Sequence, residues 1–329
     1  MKPGSDDLRP TAVLVGAAHW HAPLYLDGLS RRFRVAAVQD ADLAVAEGVA
    51  ARLGASATSD VDAALDHDGI DVAFVLSPHH QMLADARRLI RRRLPFVIEK
   101  PAGVGLRELR QLEEEARSAE VAVTVALVQR GAPIDSWLRQ AGDIVYERMA
   151  FVAGPAHRYR RNGNPWMLDP TLSGGGSLMN LGPHFVDMAL RHIGQPADVV
   201  RRRSAALHGE GVDDHATLVL STPTGREAIV EVGYAFPDSP LKRYCSFTAA
   251  GTRGFASIDT TGNASFTDIS GVTTTATLEV DSDPLYERLV DDVADTLASG
   301  FSGMSTLAEL LSTMELIWSP EEDTAGRHG

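Results

Sequence analysis

The sequence predicts an α/β protein in two parts: a doubly wound parallel sheet over residues 1–128, then an α+β part with a mostly antiparallel sheet over 129–329. Three observations predict it. Up to about residue 127, short continuous apolar runs alternate with segments of helical period, the rhythm of strand–helix–strand units. Beyond residue 197, β-rich runs follow one another with no helical segment between them, which favours antiparallel pairing. Between these regions, a loop rich in Arg, Asn, Gly and Pro (157–176) leads into a long apolar helical stretch.

The strands of the first part are TAVLVG (11–16), RVAAVQ (34–39), DVAFVL (71–76), PFVIE (95–99) and VAVTVAL (121–127). Their apolar runs are continuous, as burial beneath helices on both faces requires. DLAVAEGVAARLG (42–54) and QMLADARRLIRRRL (81–94) supply helices. In the latter Met82, Ala86, Leu89, Ile90 and Leu94 make an apolar face and arginines take the other. Such a sheet binds ligands at the carboxyl ends of its strands.

In the second part, SLMNLGPHFVDMALRHIG (177–194) is apolar on most sides and reads as a buried helix. Pro183 within it cannot donate a backbone hydrogen bond, which predicts a kink. DVVRRRSAAL (198–207), HATLVLST (215–222), REAIVEVGYAF (226–236), RYCSFTAAG (243–251), GFASIDT (254–260) and TTTATLEV (273–280) read as strands. Two helical segments (284–300 and 306–319) follow, and the polar tail PEEDTAGRHG is expected to fray.

Composition excludes several classes of function. A net charge of −13 argues against a nucleic-acid surface. No apolar run reaches the roughly 18 residues of a membrane span. MKPGSDDLRP lacks the apolar core of a signal peptide, and the single cysteine, Cys245, suits a reducing compartment, so a cytoplasmic location is expected. Of 31 basic residues, only Lys2, Lys100 and Lys242 are lysines. Arginine is the default cation of this chain.

Three stretches carry candidate chemistry. Gly16 ends the first strand as the tight turn of a dinucleotide-binding unit does, and the helix starting near Pro23 offers its amino end to a phosphate. Ala18 and His21 stand where that motif would have its second and third glycines. Asp40, 24 residues on, is placed to bind ribose hydroxyls. EKP (99–101) projects from the carboxyl edge of the sheet. In a chain that avoids lysine, Lys100 suggests a need for a compact donor of adjustable pKa, which guanidinium cannot be. In GGGSLMNLGPHFVDMALRHIG (174–194), Asn180, His184, Asp187 and Arg191 fall on one helical stripe.

EKP followed some 75 residues later by GGG…N…H…D resembles the Gfo/Idh/MocA oxidoreductases, and the likeness runs from about residue 11 to 318. It includes PWMLDPTLSGGG (165–176), DDHATLVL (213–220) and GTRGFASID (251–259). The resemblance implies a Rossmann domain, an open-faced sheet domain and a homodimer or homotetramer formed through that sheet. It also implies NAD(P)-dependent oxidation or reduction of a sugar, polyol or related small molecule. By position, Lys100 matches the lysine beside the nicotinamide and the reacting hydroxyl, and His184 matches the acid/base histidine. Asn180 stands where the family usually has aspartate, and Met82 where it has a histidine.

The candidate catalytic residues are therefore Lys100, His184 and Asn180. Gly16, Ala18, His19, Trp20, Asp40, Ser77, Pro78, His80, Glu99 and Lys100 are candidates for the cofactor. Lys100, Arg130, Arg158, Trp166, Asn180 and His184 are candidates for the substrate. Arg158, Arg160 and Arg161 form either an anion-binding wall or, more simply, a solvated arginine face. NAD is expected over NADP, because Asp40 and Asp42 repel a 2′-phosphate. No metal is expected, although His19 and His21 should lie near His79 and His80. An enzyme that retains NAD for epimerisation or elimination, or a lapsed enzyme acting as a regulator, are the alternatives.

Overall fold

The computed structural model describes residues 9–318, so the polar tail and nearly all of the amino-terminal segment discussed above lie outside the described residues. The chain forms two compact units. One runs to Ala126 and takes in Asp283–Leu311; the other covers Leu127–Ser282 and resumes at Ser312.

The first unit is built from β1 (Thr11–Val15), α1 (Ala22–Arg32), β2 (Arg34–Gln39), α2 (Leu43–Leu53), β3 (Ser56–Thr58), α3 (Val61–Leu65), β4 (Val72–Val75), α4 (His79–Arg91), β5 (Phe96–Ile98), α5 (Leu106–Ser118) and β6 (Val123–Val125). Its six strands are parallel in the order β3-β2-β1-β4-β5-β6. Every residue of β1 and β4 is buried, as their continuous apolar runs require. The short edge strand β3 has no apolar run to announce it. Because β1 and β4 are neighbours, the turns that leave them meet at the carboxyl edge.

In the second unit, α6 (Pro133–Leu138), β7 (Ile144–Ala153), α7 (Arg158–Arg161) and α8 (Pro170–Ser173) precede the long helix α9 (Ser177–Ile193). Then come β8 (Asp198–Ser204), β9 (His215–Ser221), β10 (Glu227–Gly233), β11 (Arg243–Gly251), β12 (Gly254–Ile258), β13 (Asn263–Asp268) and β14 (Thr273–Thr277). The eight strands run β14-β13-β12-β11-β7-β10-β9-β8, with only β7–β10 parallel. The sequence reading passed over β7, whose apolar residues are broken by Glu147 and Arg148, and the polar strand β13. α9 continues through Pro183, and all of its residues but Leu190 and Arg191 are buried. Ala216, Leu218 and Leu220 of β9 and Ala228, Val230 and Val232 of β10 are buried in alternation with half-buried neighbours. On the opposite face Tyr146, Tyr244 and Phe255 are exposed, so the sheet is open-faced.

α10 (Asp283–Thr296) was expected with the second part and instead packs on α1; α11 (Leu307–Ile317) follows it. The physical reason is its complementarity with α1. Arg31 pairs with Glu287 and Asp291, and Arg32 with Asp291 and Asp295. Gly28 leaves room for Val290, whose Cβ would lie 2.9 Å from a Cβ added at the glycine.

Candidate active site

The turn after β1 explains which glycines this chain needs. Gly16 has φ +84°, and a Cβ there would lie 2.4 Å from the Ser77 nitrogen, so no other residue fits. The turn is tied to the end of β2: Gly16 and Ala17 donate to the Gln39 carbonyl at 2.9 and 3.1 Å. Ala18 N–H donates to Asp40 Oδ2 at 2.6 Å, while Asp42 N–H donates to Oδ1 at 2.9 Å. Ala18 is exposed, so its methyl group obstructs nothing in the protein.

His21, in the third glycine's place, faces inward. Its Nδ1 lies 3.0 Å from Glu99 Oε1 and its Nε2 lies 2.9 Å from the Tyr286 hydroxyl. Tyr25 donates to the same Glu99 oxygen at 2.7 Å. A neutral imidazole protonated on Nδ1 satisfies these contacts together, accepting from Tyr286 and donating to Glu99. His21 N–H donates to Nδ1 of His19 at 3.1 Å. Burial, followed by the neighbouring His21, lowers the His19 pKa well below the usual value, so His19 is neutral with its proton on Nε2.

Lys100 follows Glu99 at the end of β5 and is 1% exposed. Its ammonium lies 5.8 Å from the Trp20 ring centre. Burial lowers its pKa to about 8, opposed by the charge of Glu99. Ser77 is buried and donates to Asp85 at 2.5 Å; Pro78 precedes α4, and His80 lies exposed on its first turn. His79, buried beside His80, is close enough to His19 to depress its pKa further. Among the described residues, no group of three or more His, Cys, Asp or Glu is arranged to hold a metal ion.

In the second unit, the predicted stripe of α9 divides in two. Asn180 donates from its side-chain amide to the Tyr159 hydroxyl at 2.6 Å, and His184 follows one turn later, 9% exposed. Asp187 and Arg191 belong to a buried ionic network. Arg130 grips Asp187 through two hydrogen bonds; Arg191 bridges Asp187 and Asp135 at 3.3 Å each. His192 completes the network, with Nε2 2.7 Å from Asp135 and Nδ1 2.7 Å from Glu147. Burial alone would lower the His192 pKa, but hydrogen bonds to Asp135 and then Glu147 raise it. Trp166 donates to Asn164 Oδ1 at 3.1 Å. Arg158 bonds to the Gly154 carbonyl and to the Tyr159 hydroxyl, 2.9 Å from the latter.

The sequence reading missed Tyr25, Tyr159, Tyr286 and the Asp135–His192–Glu147 group. No local pattern marks them, since each acts through a partner 21 to 265 residues away. The nearest thing to a signal is Tyr159 itself, which adjoins Arg158.

Comparison with known proteins identifies the family. Residues 11–127 match the model of the oxidoreductase family with an NAD-binding Rossmann fold, and residues 140–257 match the Gfo/Idh/MocA C-terminal domain. The chain belongs to the Gfo/Idh/MocA oxidoreductase family. It is 28% identical over 164 residues to a trans-1,2-dihydrobenzene-1,2-diol dehydrogenase of Homo sapiens, covering 47% of this chain and 46% of that enzyme. The chain thus spans about half the length of the curated relatives it matches. Two solved structures share its fold. One is an oxidoreductase from Agrobacterium radiobacter in complex with NAD+, L-tartaric acid and magnesium (TM-score 0.82, 19% identity, 97% of each chain). The other is an inositol dehydrogenase homolog from Azotobacter vinelandii complexed with NAD+ (TM-score 0.78, 17% identity, 100% of this chain and 99% of that one). Among the described residues, no helix is long and apolar enough to cross a membrane.

The first unit is therefore an NAD-binding Rossmann domain, and its residues fit the dinucleotide. The Gly16 turn packs its backbone directly against Ser77, which holds it at the carboxyl ends of β1 and β4. Glu99 Oε2 is buried with no hydrogen-bond partner among the described residues.

Proposed function

We propose that this oxidoreductase transfers a hydride between nicotinamide and the carbinol or carbonyl carbon of a sugar, polyol or related hydroxy compound. The observation that carries the reading is Lys100: a lysine withdrawn from water at the carboxyl edge of a Rossmann sheet, with its pKa drawn down to about 8. Burial of that kind is costly unless the charge is used.

Gly16, Ala18, His19, Trp20 and Asp40 would hold the dinucleotide, with Ser77, Pro78, His80 and Glu99 beside them. When bound, NAD supplies the hydride acceptor. The protein supplies the proton chemistry. His184 accepts the hydroxyl proton as neutral imidazole. The Lys100 ammonium stabilises the oxygen as it gains negative charge. Asn180, held by Tyr159, keeps a hydrogen-bonding group beside His184 without contributing charge. Arg158 and Trp166 complete the substrate contacts, while Arg130, also a candidate on the sequence, is committed to Asp187.

The open sheet face, with Tyr146, Tyr244 and Phe255 exposed, supports pairing with a second copy in a homodimer or homotetramer. The single cysteine, Cys245, which is buried and excludes an intrachain disulfide, supports a cytoplasmic location.

The test is NADH formation from NAD with a panel of sugars, polyols and hydroxy acids. His184→Ala should lose most of the turnover while binding NADH nearly as tightly as the parent. Near-normal turnover in that variant removes His184 from the mechanism.

A further inference from the structure

Arg158, Arg160 and Arg161 share one turn of α7 but differ in their partners. The side chains of Arg160 and Arg161 are each 57% exposed and pair with Glu210 and Asp238. They are the solvated arginine face that this composition leads one to expect. Arg158 is different. It is part-buried, and all its partners are neutral: the Gly154 carbonyl, the Tyr159 hydroxyl at 2.9 Å, and two aromatic rings. Its guanidinium carbon lies 4.9 Å from the Tyr159 ring centre and 5.4 Å from that of Tyr234.

No carboxylate among the described residues balances this charge; the groups acting on it are Tyr159 and Tyr234. A guanidinium withdrawn from water without a counter-ion is costly to maintain. This one is also held rigidly, by a carbonyl, a phenol and two ring faces. A planar fork fixed in advance loses little freedom when it meets a planar carboxylate, which is the anion its geometry matches. Its position connects it to the chemistry of the second unit. Tyr159 accepts from Arg158 and also from Asn180, and Asn180 precedes His184 by one turn of α9. The Asn180 amide carries no charge, and burial raises the Tyr234 pKa well above its usual value, so an incoming acid meets no repulsion from either.

We propose that the substrate carries a carboxylate, and that Arg158 receives it: a hydroxy acid or sugar acid rather than a neutral sugar or polyol. This rests on the reading that the same compound presents its hydroxyl carbon to His184 and Lys100. Trp166, on the same loop, then packs against the carbon skeleton.

The experiment compares matched pairs on the full-length protein: D-gluconate with D-glucitol, D-glucuronate with D-glucose, and D-glycerate with glycerol. Binding to the NADH-loaded protein is measured by calorimetry, and turnover with NAD by NADH absorbance. At least one acid should bind about tenfold or more tightly than its neutral partner, the scale of a charge-assisted hydrogen bond. Arg158→Gln should close that gap, and Arg158→Lys should reopen part of it. Added chloride should weaken acid binding to the parent protein and spare the neutral compounds, a readout that needs no variant to fold. Neutral partners that bind as tightly as the acids, no acid bound at all, or acid binding indifferent to both Arg158→Gln and chloride would each overturn the assignment. Turnover of neutral compounds with the acids inert sinks the assignment and leaves hydride transfer standing. Acid binding that depends on Arg158, with no NADH formed from any compound, sinks hydride transfer and leaves the carboxylate site standing.

Discussion

In the first unit, Lys100 is 1% exposed and its pKa falls to about 8, because burial outweighs the charge of Glu99. In the second, the side chain of His192 is fully buried, yet its pKa rises, because hydrogen bonds to Asp135 and Glu147 outweigh burial. Each cluster buries a cation beside carboxylate, and the balance tips in opposite directions. At His192 both ring nitrogens are taken, and Arg191 and Arg130 extend the pairing through Asp187. At Glu99 one oxygen takes both Tyr25 and His21 while the other has no partner among the described residues. The hydrogen bonds to His192 favour its charged form, although Glu147 Oε1 and one Arg191 nitrogen are buried with no hydrogen-bond partner among the described residues. At Lys100 burial prevails, so its ammonium is lost nearer neutral pH than usual.

The largest effect expected from this contrast lies in stability. His192→Ala leaves Asp135 and Glu147 facing each other without their shared cation, and should cost about 3–5 kcal/mol, the usual scale for breaking a buried ion pair. Chemical denaturation measures it; a loss below about 1 kcal/mol would show that the network is not structural. The pH dependence should carry the same signature. A raised folded pKa means that the His192 contribution is fully present below the ordinary value of 6.5 and is lost as the pH climbs through the higher folded value. Asp135 acts at the other end. Burial would raise its pKa, but the hydrogen bond from His192 and the charges of Arg191, His192 and Arg139 hold it well below the usual 3.8. Its contribution is present above 3.8 and fades as the pH falls towards the depressed value. His192→Gln should flatten the alkaline part of this curve.

Lys100 tests the other side of the contrast. If a compact donor is required, Lys100→Arg should be nearly as damaging as Lys100→Met, with kcat down by roughly a hundredfold or more while the melting temperature barely moves. An arginine variant within about threefold of the parent would make Lys100 a generic cation. The parent's turnover should also decline as the pH rises through about 8, where the ammonium is lost. That decline should be absent from Lys100→Arg, since guanidinium keeps its proton. Asn180→Asp should preserve or raise activity; a large loss would show that the neutral amide recognises a specific substrate group.

The smallest effect concerns cofactor choice. Asp40 is fixed by the Ala18 and Asp42 amides at the end of β2, so a 2′-phosphate would meet a carboxylate that cannot turn away. NAD should bind about tenfold or more tightly than NADP, the worth of one unfavourable charge contact. Titration of both cofactors decides it, and equal affinities would remove Asp40 from the ribose site.

Much of the fold was legible because its signals are local. The continuous apolar runs of β1, β2 and β4 read correctly, as did the alternation in β9 and β10 and the apolar circumference of α9. β3 and β13 were not legible: β3 is a three-residue edge strand, and β13, one in from the edge, buries only Ala264, so neither needs an apolar pattern. The site was legible in part. Gly16 and Lys100 stood out on the sequence, one for its place after an apolar run and the other for its rarity.

The sequence by itself determined the fold class, the strands that carry apolar runs, the glycine on which the first turn depends and the lysine at the carboxyl edge of β5. These follow from periodicity and from conformational limits that act within a few residues. Only the tertiary structure decided which charged and polar residues are occupied by partners. His21, one residue among several at an altered turn, is held by Glu99 and Tyr286, 78 and 265 residues away. His192 is fixed by Asp135 and Glu147, while Arg160 and Arg161 are neutralised and Arg158 beside them is not. Electrostatic pairing acts over a few ångströms of space regardless of separation along the chain, so the same residue type is structural or chemical according to what the fold brings to it.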